Sequence, residues 1–74
     1  MELQIHLQFE EESQRWWADI PEVPGVSCYA PSAVEGIKKI KLLAFQVIAD
    51  LVEHGEMQIP DEVRFVQPVQ PLVA

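Results

Sequence analysis

Residues 32–55 read SAVEGIKKIKLLAFQVIADLVEHG, and this segment carries the strongest helical signals of the chain. Ser32 followed by Glu35 forms a capping box, in which the serine hydroxyl accepts a hydrogen bond from a backbone N–H of the first turn. Gly55 is typical of the residue after a helix, because glycine adopts positive φ angles without strain. The segment therefore predicts a helix from about Ala33 to His54, roughly 33 Å long at the standard rise per residue.

Hydrophobic residues fall on two separate stripes of this helix when side chains are placed at intervals of about 100°. The first stripe consists of Ala33, Ile37, Ile40, Ala44, Val47, Ile48 and Leu51. The second stripe, rotated by roughly a third of a turn, consists of Val34, Leu42, Phe45, Ala49 and Val52. Because one sheet covers only one stripe of a helix, the second stripe needs a different cover.

We therefore expect the chain to form a homodimer or a higher homo-oligomer, since monomers seldom expose large apolar patches. The contact is expected at Leu42, Phe45, Ala49 and Val52. The alternative is that the C-terminal segment folds back over this stripe, or that curvature of the sheet covers more of the helix.

Alternation of apolar and polar residues predicts strands on both sides of this helix. One alternating run ends at Phe9 and a second covers residues 15–20, and the polar residues 10–14 between them indicate an antiparallel hairpin. Pro24 and Gly25 suit a type II turn that leads into a third strand over residues 26–30. A fourth strand is predicted over residues 63–67.

The order strand, strand, strand, helix, strand predicts an α+β fold. An antiparallel three- to four-stranded sheet is expected to pack on one long helix. We assign residues 1–67 to a single domain and residues 68–74 to an extended C-terminal tail, because Pro68 and Pro71 exclude the tail from a central strand position.

Composition excludes several classes of protein. The chain has 74 residues, with five Lys and Arg against twelve Asp and Glu, and its net charge is −7. This charge argues against nucleic acid as the main partner, because phosphate contacts need many cations. Apolar runs are too short for a membrane span, and no signal-peptide pattern follows Met1. With Cys28 as its single cysteine, the chain is expected to be cytoplasmic.

No residue pattern indicates catalysis. Metal-dependent nuclease chemistry requires carboxylates that converge on the ions, whereas the acidic residues of the hairpin are expected in an exposed turn. His6 and His54 are far apart in the sequence, and no Cys and His spacing fits zinc. We therefore expect no catalytic residue, metal or cofactor, and the chain is expected not to be an enzyme.

The order of these segments resembles the HicB antitoxin family. The most specific part is residues 17–26, WADIPEVPGV, which fits the family's x-A-x-x-P-[ED]-x-P-G stretch. Residues 55–60, GEMQIP, are similar to the family's segment after the helix. Residues 32–36 correspond to its helix start, commonly T-x-x-E-A. The resemblance covers about residues 1–66.

The chain departs from the family's pattern in two places. The family usually has a glycine in the third strand, where this chain has Cys28, Tyr29 and Ala30. Gly36 stands where the family usually has alanine, a stronger helix former. Many members also carry a C-terminal domain that binds operator DNA, and the sequence to Ala74 contains no such segment. We expect no direct binding to nucleic acid.

The resemblance implies a partial RNase H-like fold and a role in a type II toxin-antitoxin system. A protein of this kind binds and occludes a small basic RNA-cleaving toxin of the HicA type. From charge, and not from a family motif, we place the toxin contact on acidic residues of the hairpin and of the segment after the second strand. These residues are Glu10, Glu11, Glu12, Asp19 and Glu22.

Two other functions stay open at this point. The chain can be an orphan oligomeric module for protein interaction, without a toxin. It can also be a vestigial nuclease that inherits the RNase H-like arrangement of strands and helix.

Overall fold

A computed structural model describes residues 1–67 of the chain. It contains five strands and one helix in this part of the chain: β1 (Glu2–Gln4), β2 (His6–Glu10), β3 (Arg15–Asp19), β4 (Ser27–Ala30), α1 (Ala33–Glu53) and β5 (Arg64–Val66). Strands β2, β3 and β4 form an antiparallel sheet in that order, and this sheet packs against α1. The predicted α+β fold is therefore confirmed. The tail predicted at residues 68–74 lies outside the described residues.

The predicted first strand is divided at Ile5 into two strands that belong to different sheets. β1 pairs with β5 in parallel, with Glu2 opposite Arg64, and the Ile5 backbone N–H donates to the carbonyl of Val66 over 3.0 Å. β2 instead pairs with β3. The antiparallel sheet therefore has three strands, and the predicted fourth strand forms a separate parallel pair with the beginning of the chain.

The inner face of the three-stranded sheet lies against α1. Ala18 is fully buried there, and it lies opposite Leu7 on one side and Cys28 on the other. The buried side of α1 consists of Gly36, Ile40, Ala44 and Ile48. Most of these helix residues belong to the first predicted stripe, which is thus the stripe that the sheet covers.

The ends of α1 agree with the capping signals. Ser32 Oγ accepts a hydrogen bond from the Glu35 backbone N–H over 3.2 Å, as the capping box predicts. The helix ends at Glu53 with His54 as its cap, and Gly55 follows with a φ of 73°. The observed end is one residue before the predicted one, because His54 has left the helical conformation.

The segment between β3 and β4 closes the core beside the sheet. Gly25 has a φ of 83°, the positive value expected from the Pro-Gly turn. The backbone N–H of Ile20 donates to the carbonyl of Val26, and that of Val23 donates to the carbonyl of Ile20. All three of these apolar side chains are buried. The segment that resembles the HicB motif therefore contributes to the core as well as to the turn.

The helix is too polar to cross a lipid bilayer. Among the described residues, no helix combines the length and the apolar content that a membrane span needs.

Candidate functional site

The side of the three-stranded sheet that faces away from α1 forms a polar and aromatic surface. Residues on this side alternate along each strand with those that pack on the helix. We call this surface the outer face, and it consists of His6, Gln8, Glu10, Arg15, Trp17, Asp19, Ser27 and Tyr29. All of these side chains are at least partly accessible to solvent.

Two aromatic rings lie at the centre of the outer face. Trp17 and Tyr29 are directly opposite each other on β3 and β4, and their ring centroids are 5.0 Å apart in an edge-to-face arrangement. The guanidinium carbon of Arg15 lies 4.0 Å from the centroid of the Tyr29 ring. This distance is within the range of a cation–π contact. The outer face therefore already holds one guanidinium group against an aromatic ring.

Glu10 connects this aromatic pair to the hairpin. Its carboxylate accepts hydrogen bonds from the Tyr29 hydroxyl over 2.9 Å and from the Ser13 hydroxyl over 3.1 Å. The hydrogen bond to Glu10 raises the pKa of Tyr29, and desolvation and the negative charge of Glu10 act in the same direction. The nearby Arg15 lowers this pKa by a smaller amount.

The five predicted contact carboxylates do not form one cluster. Glu10, Glu11 and Glu12 lie at the hairpin end of the outer face, where Glu10 is opposite Arg15. Asp19 lies at the other end of β3, four residues from Arg15, which corresponds to about 13 Å along a strand. The structure therefore separates the predicted contact residues into two acidic groups with Trp17 between them.

The second acidic group has partners within the chain. The His6 Nδ1 atom is 3.8 Å from a carboxylate oxygen of Asp19. Glu22 follows β3 in the turn, and one of its carboxylate oxygens accepts a hydrogen bond from the Gln4 backbone N–H over 3.2 Å. Glu22 thus bonds to β1 while it stays exposed to solvent.

Glu11 and Glu12 differ from the other three carboxylates. Both are exposed in the turn between β2 and β3. Among residues 1–67, neither side chain takes part in a hydrogen bond or an ion pair, and Gln14 bonds only to the backbone carbonyl of Glu11. Their carboxylates are therefore fully available to a partner.

The described part of the chain has no arrangement typical of a metal site. No group of three or more His, Cys, Asp or Glu residues within 1–67 is placed to hold a metal ion. Cys28 lies on β4 and is half-buried against the core. Burial raises the pKa of its thiol, with a smaller opposite effect from Lys39. A raised pKa disfavours the thiolate, which is the nucleophilic form.

The second predicted stripe of α1, which includes the four predicted self-association residues, forms a second accessible surface. We call it the exposed flank of α1, and it consists of Val34, Leu42, Phe45, Ala49 and Val52. Within residues 1–67 the flank is largely uncovered, since Leu42 is 54% and Phe45 is 51% exposed. Phe65 of β5 borders the flank, because its ring lies edge-on to Phe45 at a centroid distance of 5.4 Å.

A shallow apolar groove runs along the C-terminal half of the exposed flank. Its volume is about 390 Å³, and its apolar lining includes Phe45, Ala49, Val52, Ile59 and Pro60. Ile59 is 76% exposed. The sequence prediction did not include Ile59, although an isolated large apolar residue in a polar loop was a signal that could have identified it.

The cluster of Arg15, Trp17 and Tyr29 was also missed. The alternation along residues 15–20 puts Arg15, Trp17 and Asp19 on one side of their strand, but it leaves open which tryptophan faces the core and which residues of the third strand lie opposite. The pairing of β3 with β4 brings the three side chains together.

Comparisons with protein-family models, with curated protein sequences and with solved structures give no match to this chain.

Proposed function

We propose that this domain is an antitoxin-like protein that binds and occludes a small basic RNA-cleaving protein in the cytoplasm. The observation that carries this proposal is the outer face, where accessible aromatic rings lie between two groups of carboxylates. The resemblance of residues 17–26 to the HicB motif suggests the same role. The mechanism is binding and occlusion, without a reaction on this chain.

The charge of the chain suits such a partner. A protein that cleaves RNA must present cations where the phosphates bind. This chain carries a net charge of −7, so it is attracted to a basic surface, and association is steered over long range. The partner and the RNA would therefore compete for the same cations.

The outer face has the chemistry to bind arginine and lysine side chains. Arginine favours sites where a carboxylate and an aromatic ring are adjacent, because it pairs with the first and stacks on the second. The contact of Arg15 with Tyr29 beside Glu10 is an internal example of this arrangement. We expect Trp17 and Asp19 to bind a cationic side chain of the partner in a similar way.

The five acidic residues have different roles in this proposal. Glu11 and Glu12 contact the partner directly, because their carboxylates have no internal partner among residues 1–67. Glu10 and Glu22 already accept hydrogen bonds within the chain, so they also keep the hairpin and the turn after β3 in place. Asp19 contributes charge at the far end of the outer face.

The test is a titration of the chain against a basic protein that copurifies with it from the native host. We expect the double variant Glu11→Lys and Glu12→Lys to bind about 10- to 100-fold more weakly, since close charge pairs across interfaces contribute strongly. The control is Asp61→Lys with Glu62→Lys, which makes the same change in net charge at two exposed residues away from the hairpin. Equal loss in both variants would show that only net charge matters and would contradict the proposed contact.

A second readout is RNA cleavage by the copurified protein. The chain is expected to suppress cleavage in proportion to binding, and the hairpin variant should suppress it less than the control variant does. Binding without any suppression would contradict occlusion.

The exposed flank favours a second candidate, an orphan oligomeric module that has no toxin. The outcome of copurification separates the two: a basic partner supports the antitoxin, whereas only copies of the chain itself support the orphan module.

The vestigial nuclease has less support, because two-metal chemistry needs ions about 4 Å apart. The carboxylates of Asp19 and the hairpin are too widely separated along β3 for this. Metal-dependent cleavage of an RNA/DNA hybrid, lost on Asp19→Asn, would favour the nuclease.

A further inference from the structure

We infer that two copies of this chain pair through the exposed flank of α1, with the two helices antiparallel and a twofold axis near Phe45. The occupant of the apolar groove is thus the N-terminal half of the flank from the second copy. This inference does not depend on the proposed toxin binding, because it uses the opposite side of the molecule.

The first argument is the amount of large apolar surface on one side of the molecule. Val34 is 78% exposed, and Leu42, Phe45 and Ile59 are each more than half exposed. The three helix residues among them lie within about 40° of a single direction when side chains are spaced by 100°. An isologous interface, in which the same patch of each copy covers that of the other, would bury this surface on both copies.

The second argument is that grooves occur along the whole flank. At its C-terminal half, Ile59 and Pro60 lie beside Ala49 and Val52 and form one wall of the apolar groove. At its N-terminal half, a second groove of about 420 Å³ is lined by Val34, Glu35, Lys38, Lys39 and Leu42. Side chains of a second copy can therefore enter the flank at both ends. The shape of the flank permits both orientations of a second helix, and the charge along α1 decides between them.

The third argument is the charge along α1. The half of the helix before Ala44 contains Glu35 and three lysines, which gives a charge of 3 − 1 = +2. The half from Ala44 to Glu53 contains Asp50 and Glu53, which gives −2. An antiparallel pair therefore brings opposite charges together at both ends of the contact.

Individual positions agree with this arrangement. Lys38 lies seven residues before Phe45 and Glu53 eight residues after it, which is about 10 Å and 12 Å along the helix axis. A twofold axis at Phe45 thus places Lys38 of each copy close to Glu53 of the other. Lys38 and Glu53 line opposite ends of the flank, next to Leu42 and Val52 respectively.

The direction of this charge gradient is unfavourable within one helix. The dipole of a helix favours cations near its C-terminus and anions near its N-terminus. The last turn of α1 has no cation and contains Glu53. A second helix in the opposite direction compensates this arrangement, because it supplies cations to each acidic end.

The first experiment is sedimentation equilibrium of the full chain at micromolar concentration. We expect a dimer, and we expect Phe45→Glu to weaken it at least 100-fold, because the twofold axis would bring two carboxylates together in an apolar contact. The matched control is Gln46→Glu, the same charge change one residue away on the exposed polar side of α1, which should stay dimeric. Circular dichroism confirms that both variants are folded.

The second experiment tests the orientation by exchange of charges. We expect Lys38→Glu alone and Glu53→Lys alone each to weaken the dimer by roughly tenfold, since each replaces two attractive pairs by repulsive ones. The double variant should regain the wild-type dissociation constant. Both residues are exposed, so these variants fold even if Phe45→Glu does not.

Several results would overturn the inference. A wild-type monomer, with or without residues 68–74, would show that no second copy occupies the flank. A monomer that becomes a dimer only after removal of residues 68–74 would identify that segment as the occupant instead. A dimer unaffected by Phe45→Glu would use another surface, and a double variant as weak as the single ones would exclude the antiparallel orientation.

Discussion

Tyr29 shows how a single side chain connects the hairpin to the rest of the outer face. Its hydroxyl donates to Glu10, its ring contacts Arg15 on one side and Trp17 on another, and its backbone carbonyl accepts from the Lys39 amine over 3.1 Å. It is also the only tyrosine of the chain. A spectroscopic titration of tyrosine therefore reports on this one position.

The titration of Tyr29 tests its hydrogen bond to Glu10. The pKa of Tyr29 is raised because Glu10 stabilises the protonated phenol. We expect Tyr29 to ionise at a higher pH in the folded chain than in the unfolded chain. The ionisation is followed by the ultraviolet absorbance of tyrosinate as the pH is raised. Glu10→Gln should move it back toward the ordinary pKa, whereas the exposed neighbour Glu12→Gln should not. An unchanged titration in Glu10→Gln would show that this carboxylate is not the cause.

The sign of the linkage between this pKa and stability follows from the direction of the shift. A raised pKa in the folded state means that the protonated phenol is favoured by folding. This contribution to stability is complete below the ordinary tyrosine pKa and is lost as the pH rises through the raised one. The stability of the wild-type chain should therefore decrease in alkaline solution more than that of Glu10→Gln.

Helix α1 contains one residue that propensity alone would not select, Gly36. It is buried where the helix approaches the sheet closely. A Cβ atom at this position would lie 3.4 Å from Leu7 Cδ2 and 3.7 Å from Ala30 Cβ. These are ordinary van der Waals distances, so the packing accepts alanine. The HicB-like pattern with alanine at this position is therefore compatible with the fold.

Gly36→Ala is expected to stabilise the chain by up to about 1 kcal/mol, because alanine loses less backbone entropy in a helix. This corresponds to a rise in Tm of roughly 4–8 °C for a small domain. The matched control is Gly25→Ala, where a φ of 83° makes the same substitution destabilising by roughly 1–2 kcal/mol. Thermal unfolding at one protein concentration compares the two, and a loss of stability in Gly36→Ala would show that the helix cannot accept the added methyl group.

At the scale of the whole molecule, the beginning and the end of the described chain are held together. Glu2 pairs with Arg64 on β5, and the amino group of Met1 donates to the carbonyl of Glu62 over 2.6 Å. Leu3 follows Glu2 on β1 opposite Phe65 and is fully buried in the core. The outer face and the exposed flank lie on opposite sides of this two-layer structure, so a toxin and a second copy would not compete.

The parallel pairing of β1 with β5 contributes to stability through Leu3. We expect Leu3→Ala to destabilise the fold by about 2–5 kcal/mol, because it removes buried apolar contacts and leaves a cavity. Gln4→Ala provides the comparison, since Gln4 is exposed on the same strand and should change unfolding by less than about 0.5 kcal/mol. Urea unfolding at equal protein concentration measures both. Similar midpoints for the two variants would contradict the central position of Leu3.

The elements of this protein follow from local signals in its sequence. The capping serine, the glycine after the helix and the Pro-Gly turn act within a few residues, and alternation is a property of each strand by itself. For this reason the bounds of α1, the hairpin and the first hydrophobic stripe could be predicted closely. The outer face could be predicted only in part, since each strand shows which residues share a side but not which lie opposite on the next strand.

Only the tertiary structure decided the pairing of distant segments. The division of the first strand at Ile5 depends on the carbonyl of Val66, which lies at the other end of the described chain, so no local pattern could reveal it. The same holds for the cluster around Tyr29, which forms only where β4 lies beside β3. These features arise from contacts between residues far apart in sequence, whose free energy depends on the whole fold.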